Sequence, residues 1–358
     1  MPISATDCVS LAFEHTKRQL FQPFRFGQWV RLAVVGLLAG ELGSSGNFNV
    51  PSGSNQPGPI PALGEIFHKI DPAILASLIT IVVITAIVFV VVMAYISSVM
   101  RFILFDSVLT KECHIRAGWS RRQEHGWKYF LWQLGLMLAT FAGMIILIGG
   151  PAVFAFGMGW FQTPKAHLAP LIMTGIFVLL LFLAFMIGIA LIHVLTKDFV
   201  IPQMAFENIG ALEAWRRLWP MIQAETKGYA IYVGMKIVLS IVAGIAIGIV
   251  GLVLGLIIAI PVAGAVVAAV IAAKGAGLTW NVVTITAAVV AGCMLILIFF
   301  LLISMITVPA IVFFPAFSIY FFAARYRPLS LALYSPAQQA AVPQAATPPF
   351  TPPPLPAM

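Results

Sequence analysis

Charge is scarce in this chain. Asp, Glu, Lys and Arg make up 9% of its 358 residues, against about 25% in an ordinary soluble domain. So few charges cannot cover a water-facing surface, which excludes a soluble globular protein. A disordered chain is excluded as well, because 61% of the residues are hydrophobic. Cysteine is equally sparse: Cys8, Cys113 and Cys293 are odd in number and far apart. They read as reduced thiols, not as a disulfide framework. No Walker loop, GxSxG elbow, HExxH helix or paired CxxC occurs, so no catalytic, cofactor or metal site is expected.

What the chain does have is long apolar runs, and a membrane span needs about 20 such residues. The reading is an all-α, polytopic membrane helix bundle of about six transmembrane helices with cytoplasmic interfacial amphipathic helices. The formal charge of +8 does not point to nucleic acid, since no basic stripe or stacking platform is present. The cations stand at the ends of apolar segments, as the positive-inside rule requires.

Residues 1–25 form a cytoplasmic amphipathic helix, with Cys8, Val9, Ala12, Phe13, Thr16 and Leu20 at helical spacing. Residues 26–327 form the six-span domain. Trp29 and Arg31 open a short first span ending near Leu42. A Gly/Ser/Asn/Pro loop covers 43–60, and 61–70 reads as a short outer helix. The second to fourth spans run over Pro72–Met100, Lys128–Phe156 and Leu168–Thr196. Two apolar stretches follow, from Gly228 and from Asn281, each too long for one span. Residues 256–273 and 309–324 can therefore span, re-enter or lie at the interface. Charge favours six spans with both termini cytoplasmic in the cell membrane, Pro261 breaking the fifth helix and Pro309 closing the sixth. Only Lys69, Lys165 and Lys274 then stay outside, with Glu41, Glu65 and Asp71 in the outer loop. Residues 328–358, with nine prolines and no charge, read as a disordered Pro/Ala-rich tail.

A weak repeat aligns Arg101–Trp119 with Lys197–Trp215. Each begins with a cation and ends with Trp, followed by two arginines (Arg121 and Arg122; Arg216 and Arg217). Cation, interfacial helix and headgroup-depth Trp form a coherent boundary unit. Together with Trp29-Val30-Arg31 and Phe199-Val200-Ile201-Pro202, these segments carry a resemblance. The chain resembles the polytopic membrane domain found with some bacterial glycerophosphodiester phosphodiesterases, and related uncharacterised six-span prokaryotic proteins. The likeness covers most of residues 1–327 and rests on boundary motifs. It implies location and topology. It argues against enzyme activity, because the catalytic barrel of such proteins has no counterpart here, nor does the His-Arg pair that opens its active site.

Two sets of residues are expected to matter. Trp119, Arg121, Arg122, Trp215, Arg216 and Arg217 form a lipid-headgroup belt. Gly244, Gly248, Gly251 and Gly255 lie at GxxxG spacing and suit close helix packing, within the chain or between copies of it. Asp106 reads as a boundary residue and His193 as a buried or interfacial histidine. The expected function is that of a non-enzymatic multi-pass membrane component that interacts with lipid, scaffolds or assists a membrane partner, with no cofactor. The alternative is a transporter or lipid-translocating protein, which calls for a polar cavity inside the bundle.

Overall fold

The computed structural model describes residues 4–41, 72–161, 167–275 and 282–334. The loop 43–60, the helix at 61–70, Lys69, Lys165 and the tail beyond Tyr334 lie outside the described residues. No strand occurs among the described residues. The helices are α1 (Ala5–Phe21), α2 (Phe26–Leu38), α3 (Pro72–Thr110), α4 (Ile115–Gly157) and α5 (Leu168–Leu195). A π-helical turn (Thr196–Val200) leads into α6 (Ile201–Glu207), followed by α7 (Ala211–Ala224), α8 (Thr226–Gly275), α9 (Val282–Ala323) and α10 (Arg327–Leu333).

Five of these helices (α3, α4, α5, α8 and α9) are long and apolar enough to cross a membrane. The expected first span is α2, and it has only 13 residues. At 1.5 Å per residue that is about 20 Å, short of a hydrocarbon core about 30 Å thick. It packs instead into the protein, burying Leu32, Ala33, Val35 and Gly36. The two over-long apolar stretches are each one continuous helix, so 256–273 and 309–324 neither re-enter nor turn back. Pro261 and Pro309 are carried inside those helices and do not end them. Neighbouring groups can satisfy the carbonyls that such prolines leave free in an apolar setting.

The long helices outreach a bilayer. With 39 residues, α3 extends about 58 Å. Its two halves are chemically distinct: Ile79–Val92 is exposed along its length, whereas Val99–Phe105 is buried. In the other long helices, too, the most apolar windows are almost entirely exposed. Exposed apolar spans suit lipid as solvent. The core lies at one end of the bundle, where Phe199, Tyr232, Phe317, Phe321 and Phe322 are fully buried. Tyr232 stacks on Phe317 there at 4.9 Å between ring centroids.

Both described chain ends join this core. Ser4 caps α1, its hydroxyl accepting from the Asp7 amide at 3.3 Å. The apolar face of α1 is covered by protein: His15 reaches the Val108 carbonyl and the Tyr320 hydroxyl, and Gln19 donates to the Ser107 carbonyl. Phe13, expected on that face, is exposed. Residues 327–333 form α10, which buries Leu329 and Leu333. That corrects the expected start of the tail, since an i,i+4 leucine pair gives this segment a face to bury.

Candidate ligand cavity

The charged centre of the molecule is assembled from four separate stretches. Gly40, in the left-handed region at φ +77°, ends α2 and turns Glu41 inward. That conformation is one glycine adopts freely. Ala39 offers its carbonyl to the Nε of Arg101 on α3 at 3.1 Å. The Nη1 of Arg101 donates to the Tyr129 hydroxyl of α4 at 2.8 Å. Glu41 is 3% exposed and pairs with Lys197. The π-turn brings Lys197 and its neighbour Asp198 into the same interior, and such turns often mark functional sites. Asp198 pairs with Lys236 and accepts from the Tyr232 hydroxyl at 2.9 Å. Lys236 and Tyr232 are successive turns of one face of α8.

Burial works against the charge on Glu41. It is the largest single influence, but Lys197, Arg101 and Lys236 together outweigh it and hold the carboxyl below its ordinary range. Lone ions here would be costly to bury, and cross-pairing offsets that cost. Among the described residues, three cations and two carboxylates leave the cluster with one positive charge in excess, counting His193 as neutral.

Above the cluster lies a cavity of about 780 Å³, within the roughly 300–1,000 Å³ of small-molecule sites. Its charged end is formed by Arg101, His193, Lys197 and Lys236. Its walls are apolar and come from α5 (Ile187 and Leu191) and α8 (Ile237 and Ile241). Those four side chains are 39–57% exposed, and the cavity is only half enclosed between the two helices. A second, small cavity of about 30 Å³ is lined by Glu41 and Asp198 and shares Arg101 and Lys197 with the first.

Sequence reasoning placed Glu41 in an outer loop and counted Arg101, Lys197 and Lys236 as rim cations. A usable signal existed at Lys236, the one charged residue in the apolar run 228–273, because an ionisable residue inside such a run usually has a function. Of the expected belt, Arg121 and Arg216 are exposed, the latter touching Glu213 at 3.4 Å. Arg217 is about half exposed and pairs with Glu207 and Glu213. Arg122 is drawn into the protein by Asp106. Trp119 and Trp215 are half-buried against the core, and the Trp215 indole donates to the Thr196 hydroxyl at 3.0 Å.

Among the described residues, Gly248, Gly251 and Gly255 meet no closely packed helix. A Cβ at Gly248 or Gly251 would meet nothing within 4 Å, and one at Gly255 only the Phe299 ring at 3.9 Å. Gly244 lines the cavity instead. Close approach occurs elsewhere, at Gly36 against Ile311 and at Gly126 against Val99. No three His, Cys, Asp or Glu side chains come together as a metal site among the described residues.

No curated protein and no solved structure matches this chain. One family does, over residues 3–332, which take in the whole bundle and all but the last residue of α10. The chain belongs to the family of unknown function DUF7544.

Proposed function

We propose that this multi-pass membrane protein is a non-enzymatic, lipid-interacting component that admits an amphiphilic molecule from the bilayer into the cavity between α5 and α8. One observation carries the reading: the cavity has charged residues at one end and apolar, partly exposed walls between two membrane-length helices. A water-soluble ligand needs no lateral apolar entrance, whereas an amphiphile matches both ends. The basic end of the bundle, with Lys17, Arg18, Lys111, Arg121 and Arg216, is assigned to the cytoplasm of the cell by the positive-inside rule.

Purified full-length protein, analysed by native mass spectrometry, tests the reading. Gly244→Trp should fill the cavity from its wall and remove one co-purifying lipid while the fold survives. An unchanged lipid complement would end the proposal.

A second reading, translocation, is favoured by the two cavities that share Arg101 and Lys197 of the charged cluster. Pairing and unpairing of Glu41 with Lys197 would connect them. Protein reconstituted in liposomes should then speed the flip of a fluorescent phospholipid, and Glu41→Gln should change that rate.

A further inference from the structure

We infer that the cavity selects a lipid whose headgroup carries a single negative charge, and that Arg101 supplies that selectivity. The inference rests on the amphiphile reading and specifies its ligand.

Lys197 has Glu41, and Lys236 has Asp198. The third cation of the site, Arg101, bonds to two neutral oxygens, the Ala39 carbonyl and the Tyr129 hydroxyl. Its charge is felt by Glu41, but the count of carboxylates still falls one short of the count of cations. A net charge held away from water attracts a counter-ion strongly. Arg101 is 9% exposed and lines the 780 Å³ cavity, so the place open to that counter-ion is the cavity itself. A monoanion brings the site to neutrality. A zwitterionic headgroup leaves the excess in place, and a dianion overshoots it.

The apolar walls decide what the anion is attached to. Ile187, Leu191, Ile237 and Ile241 leave the charged end reachable along an acyl chain from the side of the bundle. A guanidinium also matches a phosphodiester in geometry, since its donors fork over two oxygens. A phosphatidylglycerol-type lipid therefore satisfies charge, shape and entry route together. A free inorganic anion satisfies only the first.

The test uses full-length protein carrying Arg121→Ala and Arg216→Ala, so that the two outward arginines of the belt do not contribute. Retention of phosphatidylglycerol is compared with that of phosphatidylcholine by native mass spectrometry. Phosphatidylglycerol should be retained about ten-fold more strongly, the scale of one hydrogen-bonded charge. Arg101→Gln should bring the two lipids to parity, and Arg101→Lys should keep part of the preference. Equal retention of both lipids before Arg101 is changed, with both lost on Gly244→Trp, would overturn the monoanion inference and leave the amphiphile reading standing. No lipid sensitive to Gly244→Trp would overturn that reading itself. Displacement of phosphatidylglycerol by millimolar inorganic phosphate would overturn the lipid as source of the anion. The first comparison needs no change at Arg101, so failure of those variants to fold leaves the test intact.

Discussion

Arg122 holds Asp106 with two parallel hydrogen bonds, Nε to Oδ2 at 2.8 Å and Nη2 to Oδ1 at 2.7 Å. Its Nη1 donates to the Ala205 carbonyl at 2.8 Å. One side chain thus ties the end of α3 to the start of α4 and to α6. The two partners are 14% and 19% exposed, so breaking the pair strands a charge in a mostly dry place. Asp106→Asn or Arg122→Gln should each destabilise the protein by about 2–3 kcal/mol, below the range for a fully buried pair. The double variant should lose less than the sum of the two. Thermal unfolding in detergent measures this, and strict additivity would show that the pair is not coupled.

Acid should loosen α1. His15 is buried between α1, α3 and α9, facing Val108 and Tyr320, with Lys111 and Arg18 nearby. Burial, helped by those cations, lowers its pKa to about 4 from an ordinary 6.5. The folded protein therefore holds it neutral, while the unfolded chain binds a proton below about pH 6.5. Stability from this site is complete above pH 6.5 and falls as the pH drops towards 4. Hydrogen exchange over residues 5–21 should accelerate between pH 7 and pH 5 beyond the intrinsic pH effect. His15→Gln should flatten that dependence, and an equal pH response in the variant would refute the assignment.

Two glycine contacts predict opposite outcomes. A Cβ at Gly126 would stand 2.5 Å from Val99 Cγ2 and 3.0 Å from its Cα, which is backbone and cannot turn aside. Gly126→Ala should cost about 1–3 kcal/mol, as overpacking does. Gly248→Ala meets open space within the chain and should leave the Tm of the monomer unchanged. If Gly248→Leu altered the oligomeric state, the glycine stripe would be at work between copies of the chain.

The class of fold was legible because a chain this poor in charge and this rich in apolar runs can only cross a membrane as helices. The span count was less so. Residues 29–42 are apolar enough to suggest a crossing, but α2 stops after 13 residues and uses Gly36 to lie against Ile311. The segments 101–119 and 197–215 each contain one left-handed residue, Lys111 at φ 61° and Asn208 at φ 52°, before a Trp-bearing helix, but the two stand one position out of register in the ungapped alignment of the repeat. The cavity was the least legible part. Glu41 and Lys197 are 156 residues apart, and ion pairs between distant segments leave no periodicity. Charge counting sorted the same residues by leaflet and so separated Glu41 from the cations it meets.

The surface belt gives the last prediction. Of its six expected members, Arg121 and Arg216 point outward with no partner that would hold them tightly, Glu213 lying 3.4 Å from Arg216. Leu212 and Trp219, on the same helix as Arg216, are 65% and 55% exposed. An apolar pair flanking an arginine suits a helix lying at headgroup depth. Each exposed cation contributes about 1 kcal/mol of attraction to anionic lipid, so Arg121→Ala with Arg216→Ala should weaken enrichment of phosphatidylserine around the protein in mixed nanodiscs by roughly ten- to thirty-fold. Asp106→Asn with Arg122→Gln should lower stability and leave that enrichment nearly unchanged, because removing the whole pair removes no net charge. Loss of enrichment with that neutral double variant, or none with the outward pair, would move the lipid contact away from α4 and α7.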